Sequence, residues 1–102
     1  MDLQQKQWAE QLAEDPAAVI LDVRTDAEVE EGMIPNAKQM DIYNSAAFIE
    51  NVKQLDTSKN YYVYCRSGGR SAQACAILRS LGVENAYNLM GGFENWEGDK
   101  TV

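Results

Sequence analysis

Cys65 stands where two patterns meet. Tyr61-Tyr-Val-Tyr64 is an apolar run of β-formers, Arg66-Ser-Gly-Gly-Arg70 is a loop of small residues and two cations, and Ser71-Ala-Gln-Ala opens a helical pattern. A cysteine at such a junction meets the free backbone N–H groups of a helix start, which favour negative charge. A thiolate held there is stabilised, so its pKa is expected below the ordinary value of ~8.5. Arg66 and Arg70 add positive charge for an anionic substrate. These residue types in this order point to a reactive sulfur that meets an anion.

The remaining composition narrows the chemistry. Histidine is absent, which excludes Cys–His and Ser–His–Asp catalysis within the chain and removes the commonest zinc ligand. Cys65 and Cys75 are too far apart in sequence for a CxxC pair, so neither a metal site nor a cofactor is expected. Sixteen acids against nine bases give a net charge of −7, which argues against nucleic acid as a partner. Against that acidic background the pair Arg66 and Arg70 forms a focused basic spot. The first residues, Met1 to Trp8, carry neither the basic nor the apolar part of a signal peptide, and no stretch could span a bilayer. A cytoplasmic location, free thiols and a monomer are the expectations that follow, with no membrane partner. A chain of 102 residues fits one domain, spanning 1–102.

The elements that must position the cysteine are legible in outline. Trp8, Leu12 and nearby alanines at helical spacing predict a first helix over residues 4–14, ended by Asp15-Pro16. The continuous apolar run at 18–21 predicts a strand buried on both faces. Thr25 or Asp26 is a cap for a short acidic helix that stops at Gly32. A weak strand is expected over 38–42. Asn44 or Ser45 then caps a helix with Phe48, Ile49, Val52 and Leu55 on one face. Residues 61–64 form a second buried strand. The helix after the cysteine loop should bury Ala74, Ile77, Leu78 and Leu81, with Arg79 in its last turn and Gly82 past its end. Residues 85–89 are a further strand, Gly91-Gly92 a turn, and 93–96 a short final helix. Strands alternating with helices imply an α/β fold with a parallel sheet covered on both faces, whose ligands bind beyond the carboxyl ends of the strands. Cys65 lies at such an end.

Four segments together resemble the single-domain rhodanese family of sulfurtransferases. They are Leu21-Asp-Val-Arg24 with Glu28, Gly32-Met-Ile-Pro35-Asn-Ala37, Cys65-Arg-Ser-Gly-Gly-Arg-Ser71 and Gly91-Gly-Phe-Glu-Asn-Trp96, in register over nearly the whole chain. The resemblance implies a three-layer α/β fold with a five-stranded, mostly parallel sheet, whose fifth strand would be a short one near Leu3. It implies that Cys65 is the nucleophile. It would take a sulfane sulfur from a small anionic donor such as thiosulfate, carry it as a persulfide and pass it to cyanide, a thiol or a protein acceptor. The loop of Arg66, Ser67, Gly68, Gly69, Arg70 and Ser71 would cradle that charge with its N–H groups. Arg66 and Arg70 would meet the sulfonate-like end of the donor, unless Arg70 turns inward to brace the loop.

The arginine of this loop comes one place earlier than in the Cys-x5-Arg loops of tyrosine phosphatases and arsenate reductases. A shorter loop closes around a smaller group, a sulfur atom rather than a phosphate, so sulfur transfer is favoured over phosphate hydrolysis. A persulfide carrier or sensor that serves a protein partner uses the same residues. Met33 stands where the family usually has histidine, and Asn36 where it often has glycine. Asp22, Arg24 and Glu28 read as one ion-pair cluster fixing the first strand-to-helix turn. Cys75 reads as a packed side chain. Core packing is likewise the expectation for Trp96 and Phe93, the latter with a place at the mouth of the site as the alternative.

Overall fold

The computed structural model describes all 102 residues. In chain order the elements are β1 (Asp2–Leu3), α1 (Gln5–Glu14), β2 (Val19–Asp22), α2 (Asp26–Glu30), β3 (Lys38–Gln39), α3 (Ser45–Lys53), β4 (Asn60–Tyr64), α4 (Gly69–Ser80) and β5 (Asn85–Leu89). A single 3₁₀ turn, Phe93–Asn95, follows. The five strands form one sheet in the order β1-β5-β4-β2-β3, and every neighbouring pair is parallel. An isolated antiparallel bridge joins Met33 to Thr101 through their backbones.

Alternation along the central strands divides the core in two. Tyr61 and Val63 of β4 face one side with Leu21, Ala86, Phe48 and Val52 of α3, and Ala74, Cys75 and Leu78 of α4. Tyr62 and Tyr64 face the other with Ile20, Leu3, Leu89, Trp8 of α1, and Trp96. On that second side Trp8 meets Tyr62, Tyr64 and Trp96 edge-on, at centroid separations of 5.7, 6.4 and 5.5 Å. β4 is therefore buried on both faces and cannot shift register without exposing one set of side chains.

The short acidic helix α2 is held by a capping box. Thr25 accepts the Glu28 N–H, and the Glu28 carboxylate accepts the Thr25 N–H. The third helix begins after Asn44, whose side chain makes no capping bond. α4 ends in a Schellman motif. The Val83 N–H bonds the Leu78 carbonyl at 3.0 Å, and the Gly82 N–H bonds that of Arg79 at 3.2 Å. That turn explains a departure from the expected apolar face. Leu81 caps the helix and is 37 % exposed, while Val83 returns to the core beside Leu78. The inner face of α4 is Ser71, Ala74, Cys75 and Leu78, and Ile77 lies at its margin. Asn36 is the single non-glycine residue with positive φ, at 69°, a conformation asparagine tolerates.

Candidate active site

β4 delivers Cys65 to the carboxyl edge of the sheet, and the chain turns there through Arg66, Ser67 and Gly68 into α4. The turn depends on Gly68, whose φ of 112° lies in the region open to glycine. The loop carbonyls are pulled outward. The Phe93 N–H donates to the Cys65 carbonyl at 2.9 Å and the Glu94 N–H to the Arg66 carbonyl at 3.0 Å. With the carbonyls held by the 3₁₀ turn, the N–H groups are left for the inside of the bend.

The Cys65 sulfur lies on that inside. It accepts the Gly68 N–H at 3.1 Å and the Ser71 hydroxyl at 3.3 Å. Burial alone would push its thiol up. The Ser71 hydroxyl and the N–H groups of Ser71, Gly68 and Ser67 outweigh it and hold the thiol below its usual value. Cys75 is the natural comparison. It is as buried as Cys65, but burial without such donors pushes it up to about 11. Cys65 is only 1 % exposed, so the sulfur sits at the bottom of the bend rather than on its rim.

The two loop arginines part company. Arg66 is exposed and has no ion-pair partner. Arg70 turns inward, the alternative course, and grips Glu28 with both nitrogens at 2.7 and 2.8 Å. Its guanidinium also lies 5.2 Å from the Tyr43 ring. The expected cluster of Asp22, Arg24 and Glu28 is thus two clusters. Asp22 and Arg24 form a buried bidentate pair at 2.9 and 2.7 Å, closed by the Tyr64 hydroxyl on Asp22 at 2.6 Å and by the Gly32 carbonyl on Arg24 at 2.7 Å. Glu28 belongs instead to the cysteine loop, because α2 presents it toward α4. The periodicity of a five-residue helix is too short to fix that direction from sequence.

Glu28 carries a test of this latch. Its Arg70 partner, with the Thr25 N–H and hydroxyl helping against burial, lowers its carboxyl from 4.5 to about 2. A depressed carboxylate contributes stability that is fully present above its unfolded value and lost as pH falls through the folded one. The denaturant midpoint of the protein is therefore expected to drop between pH 4.5 and about 2, and a Glu28→Gln protein should lose part of that dependence. Equal acid sensitivity in the two proteins, followed by fluorescence, would show that the latch adds nothing.

Arg24, Glu28, Glu31, Arg66, Phe93 and Glu94 line a concavity of about 210 Å³ beside the loop. Phe93 is partly buried there, stacked on Tyr64 and 4.4 Å beneath the Arg24 guanidinium, so it combines core packing with a place at the mouth. A larger apolar groove of about 670 Å³ lies elsewhere, lined by Leu12, Pro16, Ile34, Pro35 and Trp96 among others, and contains none of the cysteine loop. No group of three metal-ligating side chains is present.

A model of the rhodanese-like domain matches residues 5–99. The chain belongs to the rhodanese-like family. Among relatives of this rhodanese-like protein, a sulfurtransferase of Allochromatium vinosum is 33 % identical over 95 residues, covering 93 % of this chain and 86 % of that one. The thiosulfate sulfurtransferase GlpE of Pseudomonas syringae is 34 % identical over 86 residues, 84 % of this chain and 78 % of its own. The crystal structure of a rhodanese-like domain protein from Staphylococcus aureus superposes with a TM-score of 0.80 at 33 % identity, covering 96 % and 91 % of the two chains. The rhodanese-like fold was the architecture anticipated from the four motifs. No helix of the protein is long and apolar enough to cross a membrane.

Sequence reasoning missed two contributors to the site. Asn88 of β5 reaches the loop from behind, and the backbone of Phe93 and Glu94 holds its carbonyls. Neither leaves a local signal, since both act on residues more than fifteen positions away. The Gly91-Gly92 pair is the one trace of the second contact.

Proposed function

We propose that this protein is a sulfurtransferase that works through a persulfide on Cys65. The Cys65 thiolate attacks the outer sulfur of a donor such as thiosulfate. The S–S bond of the donor breaks, and sulfite leaves with the electron pair. The acceptor, cyanide or a thiolate, then attacks the outer sulfur of the persulfide, and the Cys65 thiolate returns as the leaving group. Atoms and electrons balance without a proton, so the absence of histidine is no obstacle. In this reading the N–H groups of Ser67, Gly68 and Ser71 with the Ser71 hydroxyl hold the negative charge, Gly69 starts the helix behind them, Arg66 meets the anionic end of the donor, and Arg70 braces the loop.

One contrast carries the reading. Two equally buried cysteines have opposite environments, and the one at the end of β4 is surrounded by donors that stabilise its anion. The test is intact mass after exposure to thiosulfate, with peptide mapping. One added sulfur on the peptide containing Cys65 is expected, removable by cyanide. No added mass, or mass on Cys75, would overturn the assignment.

The mouth favours a protein or small thiol as an alternative acceptor. Arg66 is the one unpaired cation of the concavity, while Glu31 and Glu94 share it and carry no ion pair. With two unpaired carboxylates beside Arg66, a thiol borne on a neutral or basic partner is more welcome there than a further small anion. Transfer from the loaded protein to a thiol acceptor that outpaces transfer to cyanide would establish the carrier reading.

A further inference from the structure

Asn88 is a polar side chain of the central sheet that is 3 % exposed and faces the underside of the cysteine loop. Its Nδ2 donates to the Gly68 carbonyl at 3.2 Å and to the Asp2 carboxylate at 3.0 Å. Two acceptors on that side fix the orientation of the carboxamide. Its Oδ1 is therefore turned to Ser71, whose hydroxyl it accepts. The same hydroxyl lies 3.3 Å from the Cys65 sulfur and 3.2 Å from the Gly68 carbonyl. One proton thus has three acceptors within reach.

We propose that Asn88 is a positioning residue for sulfur transfer, holding the Gly68 carbonyl through Nδ2 so that the Gly68 N–H stays aimed at the Cys65 sulfur and the Ser71 hydroxyl is free to turn to that sulfur when it becomes anionic. The inference rests on the persulfide reading above for its function, but its geometry does not. While sulfur is uncharged, the Ser71 proton lies on Asn88. When sulfur becomes anionic, the bond to the anion is the stronger, and the proton swings to it from Oδ1, after which Asn88 acts through the Nδ2 bond that holds the Gly68 carbonyl. The Gly68 carbonyl explains why the amide is needed. It already accepts the Ala72 N–H at 3.0 Å as the first bond of α4. Without Asn88 its second lone pair would draw the Ser71 hydroxyl off sulfur, and the peptide that follows Gly68 would lose its anchor to β5 and β1.

The experiment follows the ultraviolet absorbance of the thiolate against pH in a Cys75→Ser background, so that one thiol is read. Asn88→Ala and the shape-filling, uncharged Asn88→Leu are compared with the parent. Other charged or ionisable groups around the sulfur and Asn88 remain in place: Arg66 in the loop, Arg70 on α4 with Glu28 of α2, and Asp2 of β1 behind Asn88. Expected is about tenfold less thiolate at neutral pH in each folded variant, with sulfur-transfer rate recovered at higher pH and donor KM little changed. Ser71→Ala combined with Asn88→Ala should cost less than the sum of the two. In the unsubstituted protein the side-chain amide resonances of Asn88 should move as Cys65 titrates. A folded variant whose thiol titrates as in the parent, or Asn88 resonances indifferent to that titration, would overturn the proposal. Thiol titration needs no turnover. A protein that takes no sulfur from thiosulfate but shows the shift keeps this inference and loses the persulfide reading.

Discussion

A Cys65→Ser protein takes up no sulfur from thiosulfate, and its transfer rate falls by more than about a thousandfold, on the order expected for loss of a nucleophile. Serine at that position keeps the size of the side chain and its place among the Gly68 and Ser71 donors. What it lacks is a sulfur whose anion those donors stabilise and which forms a stable bond to sulfur. Folding should be little changed, since the exchange is nearly isosteric and every hydrogen bond has an oxygen to receive it. Cys75→Ser is the control. That thiol packs against Ala74 and Leu78 and has no donor aimed at it, so the variant retains most of the transfer rate while losing some stability. Initial-rate assays on both, with thermal midpoints, decide the matter. Equal loss of transfer in the two would show that Cys65 has no special part.

The second large effect is expected at a residue with no chemistry of its own. A Cβ on Gly92 would sit 2.3 Å from the Arg66 carbonyl oxygen and 2.7 Å from the Ser67 nitrogen, on a backbone with φ of 63°. Both contacts are to main chain, so no side chain can swing away. Gly92→Ala must push the cysteine loop off the 3₁₀ turn or strain both. Overpacking and the left-handed conformation together should cost about 2–4 kcal/mol, a fall in Tm on the order of 10 °C. The functional loss should be larger. The bonds from Phe93 and Glu94 to the Cys65 and Arg66 carbonyls are what turn the N–H groups toward sulfur. A displacement of a fraction of an ångström there should reduce transfer by on the order of 10²-fold. Gly69→Ala gives the comparison in stability. No atom lies within 4 Å of its added Cβ and its φ is not in the left-handed region, so that exchange in the first turn of α4 should stabilise by about 0.4–1 kcal/mol. A Gly92→Ala protein as stable as the parent, with full transfer, would show that the loop and the turn are not coupled.

These two cases mark how much could be read before any coordinates. Cys65 was visible because its setting is local: β-formers before it, small residues after it, and then helical spacing. Elements with strong periodicity fell within a residue or two of their expected bounds, β5 at Asn85–Leu89 among them. The two-residue strand β1 carries no pattern of its own, since two residues cannot show a period. Only the resemblance to known relatives implied it, and its pairing with Leu89 and Asn88 is what makes it a strand. Arg70 and Glu28 were each visible as charges, but their partnership was not. They are far apart in sequence, and Arg24 was nearer to hand for Glu28. Leu81 was misplaced for a related reason. Helical spacing assigns it inward, while the Gly82 turn ends the helix before that spacing applies.

The sequence by itself determined the alternation of strand and helix, the family, and the one cysteine set between a buried strand and a helix start. Those follow from interactions within a few residues, where spacing stands in for geometry. Tertiary structure decided which way the peptides of the loop face, which arginine stays free, and that Asn88 and Gly92 lie against the sulfur-bearing turn. Those are meetings of segments brought together by burial of the sheet, and a hydrogen bond or a van der Waals contact between distant residues leaves no period in the chain that makes it.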